Sequence, residues 1–150
     1  MDENIITYSK ELRLPAIRRY YKEYAQEAAR AHLDYEVFLL NLMEKEYEMR
    51  QENRKKALIR RAEFPSRMYL NELKRELLPE DAQNKLPVLE RLDFIEEGQN
   101  IVLAGNPGTG KTHLAVGLGI KACIAGYKVL FTTVHKMLTQ LRESQSERTL

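Results

Sequence analysis

Cysteine occurs once in the 150 residues, and no stretch of the chain approaches a long uninterrupted apolar run. A lone cysteine, Cys123, excludes an internal disulfide framework and a cysteine zinc site, so a reducing compartment is the simplest setting. A membrane span needs roughly 18 consecutive apolar residues, and none is present. The first four residues, Met1-Asp2-Glu3-Asn4, are acidic where a signal peptide would carry a basic segment and then an apolar one. These absences lead to the expectation of a soluble, cytoplasmic protein. Charge of one sign is scarce as well: the net charge of +2 names no partner. Its distribution is uneven, because residues 1–99 carry 18 basic and 20 acidic side chains and residues 100–150 carry 6 and 2.

An apolar fraction of 43% and a charged fraction of 31% suit a folded protein of one ordinary domain or two small ones. Residues 9–64 read as helical. Pro15 fits a first helical turn, where its missing N–H is no loss. Ile17, Tyr20, Tyr21, Tyr24, Ala28 and Ala31 follow at helical spacing and form one apolar stripe. Asp34 is a plausible cap for the next helix, on which Val37, Leu40, Met43 and Tyr47 share a side expected to face the core. That helix should stop near Phe64, because Pro65 disfavours helix in the residue before it. In residues 66–99, Pro79 and Pro87 punctuate two short helical pieces, around residues 70–78 and 86–92. Asp93 to Glu96 has capping-box spacing, and Gly98 can close the turn after it.

The texture changes at residue 100. Residues 101–104 are an apolar run, as expected for a parallel strand buried on both faces. A glycine loop follows, then an apolar helix over 111–125 closed by Gly126, and a second apolar run at 129–131. Thr133 can cap a last helix carrying Val134, Met137, Leu138 and Leu141. Strand, loop, helix, strand, helix predicts a parallel α/β domain with an incomplete sheet, behind a small all-helical domain. The expected divisions are 1–65 for the helical domain, 66–99 for the linker and 100–150 for the α/β part.

The loop Gly105-Asn106-Pro107-Gly108-Thr109-Gly110-Lys111-Thr112 matches the P-loop pattern in full. Glycines let successive N–H groups curl inward onto phosphate oxygens, and the following helix adds its positive end. Lys111 supplies a cation for the β- and γ-phosphates of ATP, and the Thr112 hydroxyl ligates Mg2+. Such a pattern arises by chance in roughly 0.5% of chains this long. His113, directly after it, could be read as a base, although histidine in a first helical turn is more often a packing residue. Cys123, in an apolar helix, reads as inert core.

A basic run provides the second candidate site. Arg50, Arg54 and Arg61 fall within about 40° on a helical wheel, and Lys55, Lys56, Arg60 and Arg67 widen the patch. Such a stripe can follow a phosphate backbone, or it can be a solvated face beside Glu44, Glu46 and Glu48. Hydrolysis lacks its usual partner: after Thr112 the only acidic residues are Glu143 and Glu147, neither at the end of a strand.

Residues 92–133, LDFIEEGQNIVLAGNPGTGKTHLAVGLGIKACIAGYKVLFTT, closely resemble the IstB-like helper ATPases of insertion-sequence transposition, in the AAA+ class. Residues 52–65, ENRKKALIRRAEFP, are similar to the basic helix that ends that family's N-terminal helical domain. Helicase loaders of the DnaC type share the ATPase half and are the alternative reading. The IstB resemblance implies ATP and Mg2+ as cofactors, assembly on DNA as a homo-oligomer, and a transposase of the same element as partner. It implies that Arg50, Arg54, Lys55, Arg60 and Arg61 face DNA or that partner. The family's chains continue past this point into the acidic magnesium motif, sensor residues and arginine finger. The expectation is therefore a truncated copy or N-terminal portion that binds ATP without efficient hydrolysis. The resemblance also implies that the runs at 101–104 and 129–131 are not sheet neighbours, and that they lie about 14 Å apart.

Overall fold

The computed structural model describes residues 1–147, with side chains described through Gln145. The chain forms two compact units, Met1–Arg54 and a second from Lys55 onward, and the division falls inside one long helix.

The first unit is helical. Helix α1 (Asp2–Glu11) begins with Asp2 and Glu3 and ends with Lys10, each charge complementing the helix dipole. The sequence pattern, which suggests helix only from residue 9, does not show it. Helix α1 packs on α2 (Pro15–Ala31), and an ion pair joins Asp2 to Lys22. Between the two helices Arg13 turns the chain at φ +55°, and Pro15 takes the first helical position as expected. Leu14 in the cap position has no side chain able to accept a hydrogen bond. The free N–H groups of Ala16 and Ile17 are instead taken by the Glu46 carboxylate, at 2.8 and 3.1 Å, from the third helix. A carboxylate from another helix thus substitutes for the missing cap.

That third helix is α3 (Tyr35–Arg61). Its expected core side faces water: Val37, Leu40, Met43 and Tyr47 are 39, 56, 57 and 65% exposed. Leu42 and Glu46 are the buried residues, at 6 and 5%. They lie one turn apart, roughly 135° round the helix from the apolar stripe. The physical reason is Glu46, whose carboxylate must reach the start of α2 and so fixes which face of α3 turns inward. On α2 most of the expected stripe faces inward: Ile17, Tyr20, Tyr21, Tyr24 and Ala28 are partly buried, next to a fully buried Ala16, while Ala31 at the helix end is exposed.

In the second unit α3 ends at Arg61 and Glu63 breaks the helix at φ +56°. Two 3-10 turns follow, Leu70–Glu72 and Arg75–Leu77. Helix α4 (Glu80–Leu89) runs through Pro87 where a break is expected, and α5 (Asp93–Glu96) starts at Asp93 without a side-chain cap. Gly98, at φ +65°, closes α5 as expected, with Gln99 N–H donating to the Phe94 carbonyl. Helix α6 (Lys111–Ile124) is the most buried element, with Val116 and Cys123 wholly inside. Thr133 caps α7 (Val134–Glu147) through Lys136 N–H at 3.2 Å. The core joins Leu114, Leu118 and Ala122 of α6 to Leu70, Leu78, Leu86 and Leu92.

The expected α/β fold with a parallel sheet is not what forms. Among the described residues there is no β-strand, and the second unit consists of helices, turns and irregular chain. A strand exists through its ladder of inter-strand hydrogen bonds, and none joins residues 101–104 to 129–131. Phe131 N–H donates instead to the Ala62 carbonyl, at 2.7 Å. Neither run is buried on both faces: Ile101 and Leu103 are half-buried while Val102 is 87% exposed.

Helix α6 carries two glycines that admit close neighbours. A Cβ on Gly117 would lie 2.6 Å from the Leu70 side chain, and one on Gly119 would lie 2.8 Å from the Phe64 ring. The segment between α3 and the first 3-10 turn therefore rests directly on the backbone of α6. Replacing Gly117 by Ala gains about 1 kcal/mol of helix propensity but forces Leu70 away, and overpacking costs about 1–3 kcal/mol. Gly117→Val, without most of that propensity gain, is expected to lower the thermal midpoint more than Gly117→Ala, as read by circular dichroism.

Candidate functional site

The glycine loop sits between the apolar run at 101–104 and the first turn of α6. Gly108 and Gly110 adopt φ of +80° and +81°, the left-handed region that side-chain-bearing residues rarely enter. Gly110 is also the residue from which α6 starts, so the N–H groups of Lys111, Thr112 and His113 have no partner within the helix. A Cβ on Gly110 would touch Leu78 and Leu73 at 3.5 and 3.7 Å, which ties the loop to the helical core beneath it.

Lys111 folds back over the loop. Its Nζ donates to the carbonyls of Gly105 and Asn106 at 2.8 and 2.6 Å, and lies 3.3 Å from Thr109 Oγ1. Thr109 Oγ1 in turn donates to the Asn106 carbonyl at 2.9 Å. Thr112, in the first turn of α6, is exposed. A cation, orphan N–H groups at a helix start and a loop of left-handed glycines thus converge, which is the donor set that a polyphosphate requires. Asn106 and Pro107 form the exposed tip. Beside the loop lies a cleft of about 560 Å³. It runs from Thr109, Gly110 and Lys111 to the apolar Leu78, Pro79 and Phe94.

His113 plays another part. Its Nε2 is 2.8 Å from the Tyr69 carbonyl, an acceptor only, so that nitrogen carries the proton. The imidazole pins the segment before the first 3-10 turn to the start of α6. Cys123 is fully buried, and burial pushes its thiol pKa up, which keeps it protonated and inert. Among the described residues no cluster of three His, Cys, Asp or Glu side chains could hold a metal unaided. Glu143 lies exposed on α7, and the side chain of Glu147 falls outside the described set.

The basic residues of α3 separate into two kinds. Arg50 is engaged inside the first unit: Nε donates to Glu46 Oε1 at 3.1 Å and Nη2 to the Arg13 carbonyl at 2.7 Å. It braces the carboxylate that caps α2. Arg54, Arg60 and Arg61 are exposed and Lys55 is half-buried. Arg54 and Arg61 are seven residues apart, two turns along one helix face. The sequence pattern misses Glu46, Gly117, Gly119 and the bond of His113. The available signals were a carboxylate between Leu42 and Met49 on one helical face, and two glycines inside an otherwise apolar helix.

Comparison with known proteins places this geometry. The family described as IstB-like ATP binding protein matches residues 7–150. A protein of Geobacillus stearothermophilus named as an insertion sequence IS5376 ATP-binding protein is 33% identical over 147 residues, covering 98% of this chain and 59% of that one. A second, from Pseudomonas aeruginosa and named for insertion sequence IS21 and ATP binding, is 31% identical over 125 residues, 83% of this chain and 47% of that protein. An IS232 counterpart from Bacillus thuringiensis is 27% identical over 150 residues, 99% and 59% of the two chains. The chain belongs to the IstB-like ATP-binding family. It spans about half to three-fifths of the length of these relatives. No helix among the described residues is long and apolar enough to cross a membrane.

Removing the Glu46 carboxylate leaves two N–H groups at the start of α2 without an acceptor, a loss of about 2 kcal/mol. Glu46→Ala should therefore shift the denaturation midpoint strongly. Arg50→Gln should shift it by less, about 1 kcal/mol, because its guanidinium is half exposed to solvent.

Proposed function

We propose that this chain holds ATP through the phosphate-binding loop Gly105 to Thr112, and that it serves as the nucleotide-binding portion of an insertion-sequence helper protein. The observation that carries the reading is the convergence of Lys111, the left-handed glycines and the orphan N–H groups of α6 at one place. Family membership and the printed names of the relatives support it. In this reading Lys111 turns from the carbonyls of Gly105 and Asn106 toward the β- and γ-phosphates. The exposed Thr112 hydroxyl would be the side chain that holds Mg2+ beside the phosphates. The metal's role when bound is to offset phosphate charge. The loop orients the chain of phosphates.

The remaining assignments follow the family reading. Residues 1–65 would make contacts to DNA or a partner, 66–99 would join them to the nucleotide site, and the part from residue 100 would carry ATP. Arg54, Lys55, Arg60 and Arg61 are the DNA-facing set, with Arg50 occupied by Glu46 and the Arg13 carbonyl. The helper would work on DNA as a homo-oligomer beside the transposase of its element.

Titration with labelled ATP and magnesium tests the loop. Lys111→Ala should weaken binding by roughly tenfold or more, since hydrogen bonds to charged groups are worth about 1.5–3 kcal/mol. Unchanged affinity would place the nucleotide elsewhere.

DNA association has its own test in salt dependence. Replacing Arg54, Lys55, Arg60 and Arg61 with Gln should flatten the plot of log affinity against log salt by about three to four units if each meets a phosphate. An unaltered slope would remove DNA from this helix and favour a helicase-loader role, in which the helical region grips protein.

A further inference from the structure

The first unit contains a groove that the nucleotide and DNA readings leave unused. It lies between the end of α2 and the first half of α3 and has a volume of about 480 Å³. Its floor is apolar: Tyr24, Ala28 and Ala31 from α2, Leu33 from the turn, and Phe38 from α3. The two alanines leave open the space that larger side chains would fill. Its rim is acidic, with Glu27 on one side and Glu44 and Glu48 on the other. Lys45 is the one rim cation. It is partly engaged already, with its Nζ 3.7 Å from Glu48 and 5.7 Å from the centre of the Tyr20 ring. Two more carboxylates than ammonium groups therefore border an apolar trough. Val37 and Leu40, 39 and 56% exposed, lie one turn from Asn41 and Glu44 and extend the apolar surface past the rim.

We propose that this groove docks a basic amphipathic helix of a partner protein, with its aliphatic ridge between Ala28, Ala31 and Phe38 and its lysines or arginines against Glu27, Glu44 and Glu48. Charge decides the class of occupant. Phosphate backbones are repelled by the rim, so nucleic acid is excluded from this face. An acidic or neutral helix would bury the apolar floor but leave Glu27 and Glu44 facing like charge or no cation, with Glu48 served by Lys45 alone. A basic helix satisfies both, in the manner of groove-bound amphipathic helices that present anchors at i, i+3, i+4 and i+7. The complementary charges also discriminate among partners that share the same apolar ridge.

The test uses the full chain and two labelled peptides of about 20 residues, long enough to form helix. Both carry Leu at i, i+3, i+4 and i+7. One has Lys on the flanks and the other Glu. Fluorescence anisotropy should show saturable binding of the Lys peptide and none of the Glu peptide. Changing Glu27, Glu44 and Glu48 together to Gln should weaken the Lys peptide roughly tenfold or more. A matched triple change away from the groove, Glu3→Gln with Glu11→Gln and Glu76→Gln, should leave it unaltered. Ala31→Trp, at an exposed position, should fill the trough and abolish binding while the circular dichroism spectrum is retained. Equal weakening by both triple variants would mean diffuse attraction and overturn the proposal. So would binding that survives Ala31→Trp. Self-association of the chain that Ala31→Trp abolishes would also overturn it, by assigning the groove to a second copy.

Discussion

A carboxylate buried among helices holds the first unit in register. Glu46 is 5% exposed, and it reaches across to the two N–H groups that Leu14 and Pro15 leave unserved at the start of α2. A buried charge is costly unless it is compensated. Here two backbone donors, the positive end of a helix and Arg50 provide the compensation together. The geometry fixes the rotation of α3, and the rotation fixes what the surface displays. Leu42 goes inward, the stripe from Val37 to Tyr47 goes outward, and the acidic rim of the groove comes to lie beside α2. Arg50 is drawn out of the basic series and given a structural task.

In the second unit the organising element is α6. It is apolar on most of its circumference and has two positions with no side chain. Leu70 and Phe64 use that space, Phe64 meets Phe131 at a ring separation of 6.2 Å, and the Ala62 carbonyl receives Phe131 N–H. His113 adds a polar fastening at the start of the same helix. The glycine loop is therefore mounted on a helix whose back is held by the segment leading out of α3. The polar fastening at His113 lies at the loop end of α6, and the two apolar ones, at Gly117 and Gly119, lie further along it.

What was legible in the sequence was whatever a local pattern specifies. The loop, the start of α2 at Pro15, the closure of α5 by Gly98 and the cap at Thr133 each depend on a few adjacent residues. The tyrosine stripe of α2 was readable by periodicity. The face of α3 was not, because a single carboxylate with partners about 30 residues away outweighs four apolar residues. Hydrophobic spacing is silent about such a partner. The α/β reading failed for a related reason: an apolar run specifies a strand only when another run pairs with it, and pairing is not a local property. Helix α1 escaped notice because its apolar residues are few. The candidate site residues were read from Gly105 to Thr112 as one motif, but the contacts of Lys111 with Gly105, Asn106 and Thr109 of its own loop were not legible there.

An ammonium group has three hydrogens to donate, and around Lys111 there are three oxygens within 2.6 to 3.3 Å, all from its own loop. If the loop binds phosphate as proposed, the reaction at Lys111 would be a ligand exchange rather than an addition, with carbonyl and hydroxyl oxygens given up for anionic ones. Its net contribution would then be the difference between two well-satisfied coordination shells, far smaller than the attraction of a bare cation for a triphosphate. The larger share would fall to the backbone N–H groups at the head of α6, which have no competing acceptor within the helix.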